Sequence, residues 1–395
     1  MSNKVLDSLV SKFLNIYFDI IYFIKSYLVF SKSNNNAIVV ISELNVPRIG
    51  RLLKFLVPLR TEKFYILVHY KKFHSKYSLD NNVKVILFKS RWHLHYLIKK
   101  IKPKLIHGVE SRSVFPSVAL NFKNIPFIFD FQDLYTIYYD KQPPQKWLRQ
   151  NLKYERACLT NSDYLISYSL EFIPVRKKLC LNKSKKVLYF PFYLDDELLR
   201  NDENLNYENR TIQLVYLGGI SAINEVNSFN FKLIGDKLLG QNININIYPS
   251  PNIDKKIIQE YLNLQHPNLT LHESINQDEL PEVISKYDFG LVPFFNMDGF
   301  LSPTKFRYST TLKLFNYLEA GIPVIVGTDT EYQAWIVNHY KVGLAVNNEK
   351  FENLSNILDS IDYSNLKMNI DDFQNKMKMS VHINKVNNIY NKLIK

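Results

Sequence analysis

Cysteine, metal-binding clusters and negative charge are all in short supply in this chain. Its 395 residues include only Cys158 and Cys180, and neither lies in a Cys-x-x-Cys pair, so nothing beyond a single bridge is available. That usage fits a reducing cytoplasm. No His-Glu-x-x-His and no His/Cys cluster appears, so a zinc-type centre is not expected. Acidic residues number 37 against 50 basic ones, for a net charge of +13. Such a charge suits nucleic acid, an anionic lipid surface or a polyanionic substrate. The lysines are spread along the chain rather than gathered in an arm, and no zinc-finger spacing or RNA-binding signature is present. Nucleic acid is therefore not an expected partner. The length suits two domains better than one core.

Residues 1–33 differ from the rest. Val10 to Phe30 is apolar around most of a helical circumference, interrupted by Asp19 and Lys25. It lacks a small-residue cleavage site, which argues against a secretory signal. A spanning helix needs about 20 mostly apolar residues, and Asp19 near its centre is costly. Lys4, Lys12, Lys25 and Lys32 suit a helix lying in a membrane interface; packing on its own domain or a partner is the other reading. The expected location is cytoplasmic, either free or peripheral on the inner membrane face.

From residue 36 onward, short apolar runs alternate with helical patterns. Strands are expected at 36–42, 63–70, 83–88, 103–108, 125–130, 163–169 and 185–192. Asp195 to Arg210 is polar and aperiodic, as in a linker. The pattern then restarts, with strands at 212–219, 243–250, 269–275, 288–294, the "VIV" of 324–326 and 342–346. Residues 371–395 close the chain as a helix. Strand–helix alternation implies two doubly wound parallel sheets, one domain over 34–195 and another over 211–370 (the acceptor and donor domains of the resemblance given below), with a ligand cleft at the carboxyl ends of the strands. That rule selects Arg48 and Arg51 after the first strand, His107 and Glu110 at the fourth, and Asp130 and Asp133 at the fifth.

"TTLKLFNYLEAGIPVIV", Thr310 to Val326, joins a helix directly to a buried strand. Ser309, Thr310 and Thr311 are capping types, while Gly321 and Pro323 stop the helix. Leu314, Phe315 and Leu318 form its apolar arc, and Lys313, Asn316 and Ala320 lie opposite, with Glu319 at the edge. Free N–H groups at its amino end favour an anion. Lys305 and Arg307 precede it in a 14-residue stretch, 296–309, read as a loop. A diphosphate fits, with Asn316 or Glu319 near sugar or ribose hydroxyls.

This stretch and "YDFGLVPF" before it resemble the donor-binding region of GT-B glycosyltransferases, specifically the retaining family 4. That pattern has a strand ending in Pro, a loop, then KLFEYLxxGxPVI. "LVYLGGI", with Gly218 and Gly219, resembles the turn opening the family's second domain. "FIFDFQDLY" and "YERACLTNSDYLISYS" resemble first-domain segments, so the resemblance spans roughly residues 36–350. It implies transfer of a sugar from a nucleotide-sugar to a glycan or lipid-linked acceptor, with retention and in surface-polysaccharide or lipopolysaccharide synthesis, without a metal or other cofactor. Asp130, Asp133 or His107 would orient the acceptor hydroxyl or take its proton. Arg48, Arg51 and Glu110 would contact the acceptor. The chain departs from the family at Asn316 and Tyr308, where the paired acids are expected, and at Gln132, where a histidine is. "GGISAINE" lacks the basic residues that often follow the glycine turn, which passes the diphosphate to Lys305, Arg307 or Lys313. A non-catalytic GT-B relative and a nucleotide-sugar epimerase are the alternatives.

Overall fold

The computed structural model describes residues 36–42, 47–69, 82–110, 113–138, 146–182, 184–200, 211–276, 279–293 and 302–394. The apolar tract 1–33 and residues 201–210 of the expected linker lie outside the described residues.

The first sheet has seven strands in the order β3-β2-β1-β4-β5-β6-β7. They are β1 (Ala37–Ser42), β2 (Lys63–His69), β3 (Val83–Phe88), β4 (Leu105–Glu110), β5 (Phe127–Phe131), β6 (Tyr164–Ser167) and β7 (Val187–Tyr189). The second has six, ordered β10-β9-β8-β11-β12-β13: β8 (Ile212–Gly218), β9 (Ile243–Pro249), β10 (Leu269–Leu271), β11 (Phe289–Val292), β12 (Val324–Gly327) and β13 (Gly343–Val346). All the pairings are parallel, and strands such as β1, β5 and β11 are buried at every position, as expected when helices cover both faces. Strand order reverses between β1 and β4 and again between β8 and β11, leaving one crevice in each sheet.

Helices α1 (Pro47–Leu56), α2 (Arg91–Ile101), α3 (Lys146–Asn161) and α4 (Phe172–Lys178) belong to the first sheet. Those of the second are α5 (Phe231–Asp236), α6 (Lys255–Leu264), α7 (Leu280–Ile284), α8 (Pro303–Tyr308), α9 (Leu312–Glu319), α10 (Glu331–Tyr340), α11 (Asn348–Phe351), α12 (Leu354–Asp359) and α13 (Tyr363–Met377). The chain ends in α14 (Met379–His382) and α15 (Asn384–Leu393). The expected closing helix is thus three pieces, and the last two return to the first sheet. Met379, Ile383, Val386, Ile389 and Tyr390 complete the core that α1 forms on β1 and β4.

The stretch read as a loop contains α8, because Ser302 caps it by accepting from the Lys305 N–H and Pro303 sits at its first turn. Helix α9 also differs from expectation: it is buried all round from Leu314 to Glu319, Asn316 included. The second sheet covers one side, α13 another, and Arg51 of the first domain reaches the polar one. Its end is a Schellman motif, with the Gly321 N–H on Leu318 O, the Ile322 N–H on Tyr317 O, and Gly321 at φ +73°.

Tyr317 of α9 fills the crevice between β8 and β11. Its hydroxyl accepts from the Leu217 N–H at 3.0 Å and donates to Leu291 O at 3.1 Å, satisfying ladder groups where the strands splay. The ring lies where a side chain on Gly290 would be, only 2.1 Å from an ideal Cβ. We expect Gly290→Ala to expel the ring and lower stability by about 1–3 kcal/mol from overpacking, with more from the two lost hydrogen bonds. Denaturant unfolding checks this; an unchanged midpoint would mean Tyr317 does not fill the crevice.

Candidate functional site

At the tip of β8 the chain turns through Gly218, at φ +122°, a conformation side-chain-bearing residues rarely adopt. An ideal Cβ there would stand 2.6 Å from Lys313 Cε, so the glycine is also what lets this lysine lie across the strand end. A Cβ on Gly219 would meet nothing within 4 Å, so the turn opens onto free space. Lys313 Nζ lies 5.6 Å from the centroid of the Tyr216 ring, whose hydroxyl donates to Gly219 O at 2.6 Å. No carboxylate among the described residues pairs with Lys313, and burial pulls its ammonium pKa from 10.5 down to about 8.

Lys313 begins α9 just past its cap, where Thr311 Oγ1 accepts from the Lys313 N–H. The hydroxyl of buried Thr310 has no hydrogen-bond partner among the described residues. The glycine turn and the Lys313 ammonium therefore meet at the carboxyl edge of the second sheet, at the positive end of α9, with Thr310 just before the cap. That combination suits an anion. It joins Gly218, Gly219, Thr310 and Lys313 from the expected donor residues, with Ser309 one residue further out.

The remaining donor candidates are engaged elsewhere. Arg307 is exposed and pairs with Glu331 at 2.7 Å. Lys305 is buried and pairs with two first-domain carboxylates, Asp133 at 2.5 Å and Glu171 at 2.6 Å. Burial pulls its pKa down, but the charges of Glu171 and Asp133 outweigh this and hold it above the usual lysine value. Asn316 and Glu319 turn to Arg51, whose Nη2 donates to them at 3.2 and 2.6 Å. Glu319 also accepts from the Asp195 N–H at 2.8 Å. Arg51, expected to meet an acceptor, is thus an inter-domain tie. These residues bind protein because α9 is buried on the side that the helical pattern left open.

In the first domain, Asp133 reaches solvent, unlike Asp130: its side chain is 40% exposed, and Tyr168 Oη donates to it at 3.4 Å. His107 and Asp130 are placed differently from expectation. Strands β4 and β5 run past the expected ends, so both residues sit inside the sheet, on the face that α15 covers. His107 Nδ1 lies 2.7 Å from Tyr390 Oη and His107 Nε2 lies 3.7 Å from Asp130 Oδ2, with both residues sealed from solvent. They brace α15 rather than face the cleft. Glu110 ends β4 and Arg48 lies in α1, but their side chains are outside the described ones.

Two carboxylates that sequence reasoning passed over support Asp133. Buried Glu155 accepts from the Tyr135 and Thr136 N–H groups at 2.7 and 3.0 Å, and burial pushes its pKa up to about 7. Buried Glu171 accepts from the Leu134 N–H at 3.1 Å. Glu155 had a legible signal: it shares a helical face with Cys158 and Leu159, which are buried, so its charge needed an internal partner. Glu171, at the cap of α4, had none.

Residues 238–388 match the family model described as glucosyltransferase 3-like, C-terminal domain. No curated protein matches the sequence. Among solved structures, sucrose-phosphate synthase from Thermosynechococcus elongatus superposes with a TM-score of 0.65 at 14% identity, over 91% of this chain and 99% of that one. Anabaena HepE, solved with UDP and glucose, gives 0.62 at 14% identity over 91% and 99%. A UDP-glucosyltransferase from Polygonum tinctorium gives 0.55 at 11% identity over 91% and 100%. At such identities the likeness is one of fold, and that fold is GT-B: two Rossmann-like domains with a carboxyl-terminal helix crossing back to the first, the architecture of glycosyltransferases.

Proposed function

We propose that this protein is a glycosyltransferase moving a hexosyl group from a nucleoside-diphosphate sugar to a hydroxyl of a glycan or lipid-linked acceptor. One observation carries the reading. Lys313 lies half-buried against a glycine turn that opens onto free space, with no protein carboxylate to neutralise it among the described residues. A partly desolvated ammonium with no counter-charge is costly unless an anion completes it.

In the reaction, the bond from the anomeric carbon to the diphosphate oxygen breaks and its electron pair leaves with the diphosphate. The acceptor oxygen bonds to that carbon and loses its proton. Lys313 and the amino end of α9 stabilise the charge as it develops on the leaving group. Asp133, the solvent-reaching carboxylate across the cleft, orients the acceptor hydroxyl or receives its proton. Retention is the stereochemistry that the family 4 resemblance suggests. The net charge of +13 suits a phosphate-bearing acceptor at a membrane face, as in surface-glycan synthesis.

UDP-glucose is the first donor to test, since HepE was solved with UDP and glucose and the matched family model is named for a glucosyltransferase. Calorimetric titration with UDP-, GDP-, TDP- and CMP-sugars is expected to show one base binding within about the micromolar-to-millimolar range of enzyme KM values. Silence with all four sinks the proposal.

A further inference from the structure

Helix α8 belongs to the donor domain by sequence, yet both of its ends and its one buried lysine are fastened to the acceptor domain. At its start, Ser302 Oγ donates to Ile137 O, and the Ser302 N–H donates to Tyr138 O at 3.1 Å. At its end, the Leu170 N–H donates to Tyr308 O at 3.0 Å. Between them, Lys305 Nζ pairs with Asp133 and Glu171. A few residues on, the same segment becomes the capped start of α9 and delivers Lys313 to the Gly218 turn.

We infer that Ser302–Lys313 is a strap across the cleft, and that Lys305 is a positioning residue that sets Asp133 in register with the anion site. This rests on the proposed transferase reading for its catalytic half. A free strap would have no need of a buried double ion pair. Glu171 is fully buried and Lys305 nearly so, whereas one oxygen of Asp133 is held and the side chain still reaches solvent. The lysine thus fixes the carboxylate without burying it. Transfer needs donor and acceptor groups held in near-attack geometry, and a misplacement of about 1 Å costs up to about a hundredfold in rate. A lysine anchored to one domain and chained to the phosphate-side helix of the other supplies that registration.

The test is Lys305→Met with Glu171→Gln, which removes both buried charges together and so avoids the stranded carboxylate that a single change leaves. Expected are a donor KM within about threefold of wild type and a kcat for transfer lower by roughly ten- to a hundredfold, the pattern for loss of an interaction needed only in the transition state. Amide hydrogen exchange at Leu170 and Ser302, each bonded across the cleft, should accelerate together. The double variant keeping both kcat and exchange at wild-type values overturns the strap, as does a proportional loss in donor affinity with kcat unchanged. Asp133→Asn should lower kcat without quickening exchange at Leu170, a split that a purely structural Asp133 does not give. If exchange accelerates but the wild-type chain turns over no nucleotide sugar, the transferase reading fails while the strap stands.

Discussion

Replacing Lys313 by methionine is expected to weaken binding of the preferred nucleotide sugar by roughly ten- to a hundredfold, the usual worth of a charge-assisted hydrogen bond in a partly enclosed site. Methionine keeps the length and apolar stem, so the Gly218 contact survives and only the charge is lost. The pH dependence makes the test specific. Burial lowers the Lys313 pKa from 10.5 to about 8, so the free protein loses this proton as pH rises through about 8. Donor affinity in wild type should therefore fall from pH 7 to 9.5, and in Lys313→Met it should be flat over that range. Ligand-free stability runs the opposite way. Between about 8 and 10.5 the unfolded chain binds the proton that the folded chain has released, so this residue makes stability rise with pH. Titration calorimetry and thermal melts at four or so pH values read both trends. An affinity that ignores pH, or a methionine variant that binds like wild type, removes Lys313 from the diphosphate site.

The strands and their grouping were legible because parallel strands buried on both faces read as plain apolar runs. Val39, Val40 and Ile41, or Phe127 to Phe129, have few other places to go. Gly321 and Pro323 marked the end of α9 for an equally local reason. What was not legible came from contacts distant in sequence. No periodicity shows that Arg51 lies against Glu319, or that Lys305 finds Asp133 and Glu171, because each pair joins separate domains. The helical pattern of α9 correctly separated its apolar arc from Lys313, Asn316 and Glu319. It then treated the polar arc as one surface, whereas Lys313 lies against the Gly218 turn and Asn316 and Glu319 meet another domain. Residues His107 and Asp130 were misplaced for a simpler reason. A strand boundary displaced by a residue or two moves a side chain from the cleft edge into the sheet.

The largest stability effect is expected at Arg51. Glu319 is fully buried, and it accepts from the Asp195 N–H and from the Arg51 guanidinium, which lies 2.6 Å from Oε2. Arg51→Met leaves that carboxylate without its counter-charge, and the loss of one partner from a buried pair costs about 3–5 kcal/mol. Because the pair joins α1 of one domain to α9 of the other, the loss should loosen the domains before either core melts, giving a lower and broader denaturant transition. Burial already pushes the Glu319 carboxyl above its ordinary 4.5, with Arg51 opposing that push. Without Arg51 it rises further, so the folded state holds its proton longer. Stability tied to that proton is present at low pH and is lost as pH climbs through the raised value. The penalty should therefore be small near pH 5 and large near pH 8. Adding Glu319→Gln removes the stranded charge and keeps an oxygen for the Asp195 N–H, so the double variant should regain most of the loss at pH 8. If the two single substitutions simply add, the guanidinium and carboxylate are neighbours without being coupled, and the tie between the domains must lie elsewhere.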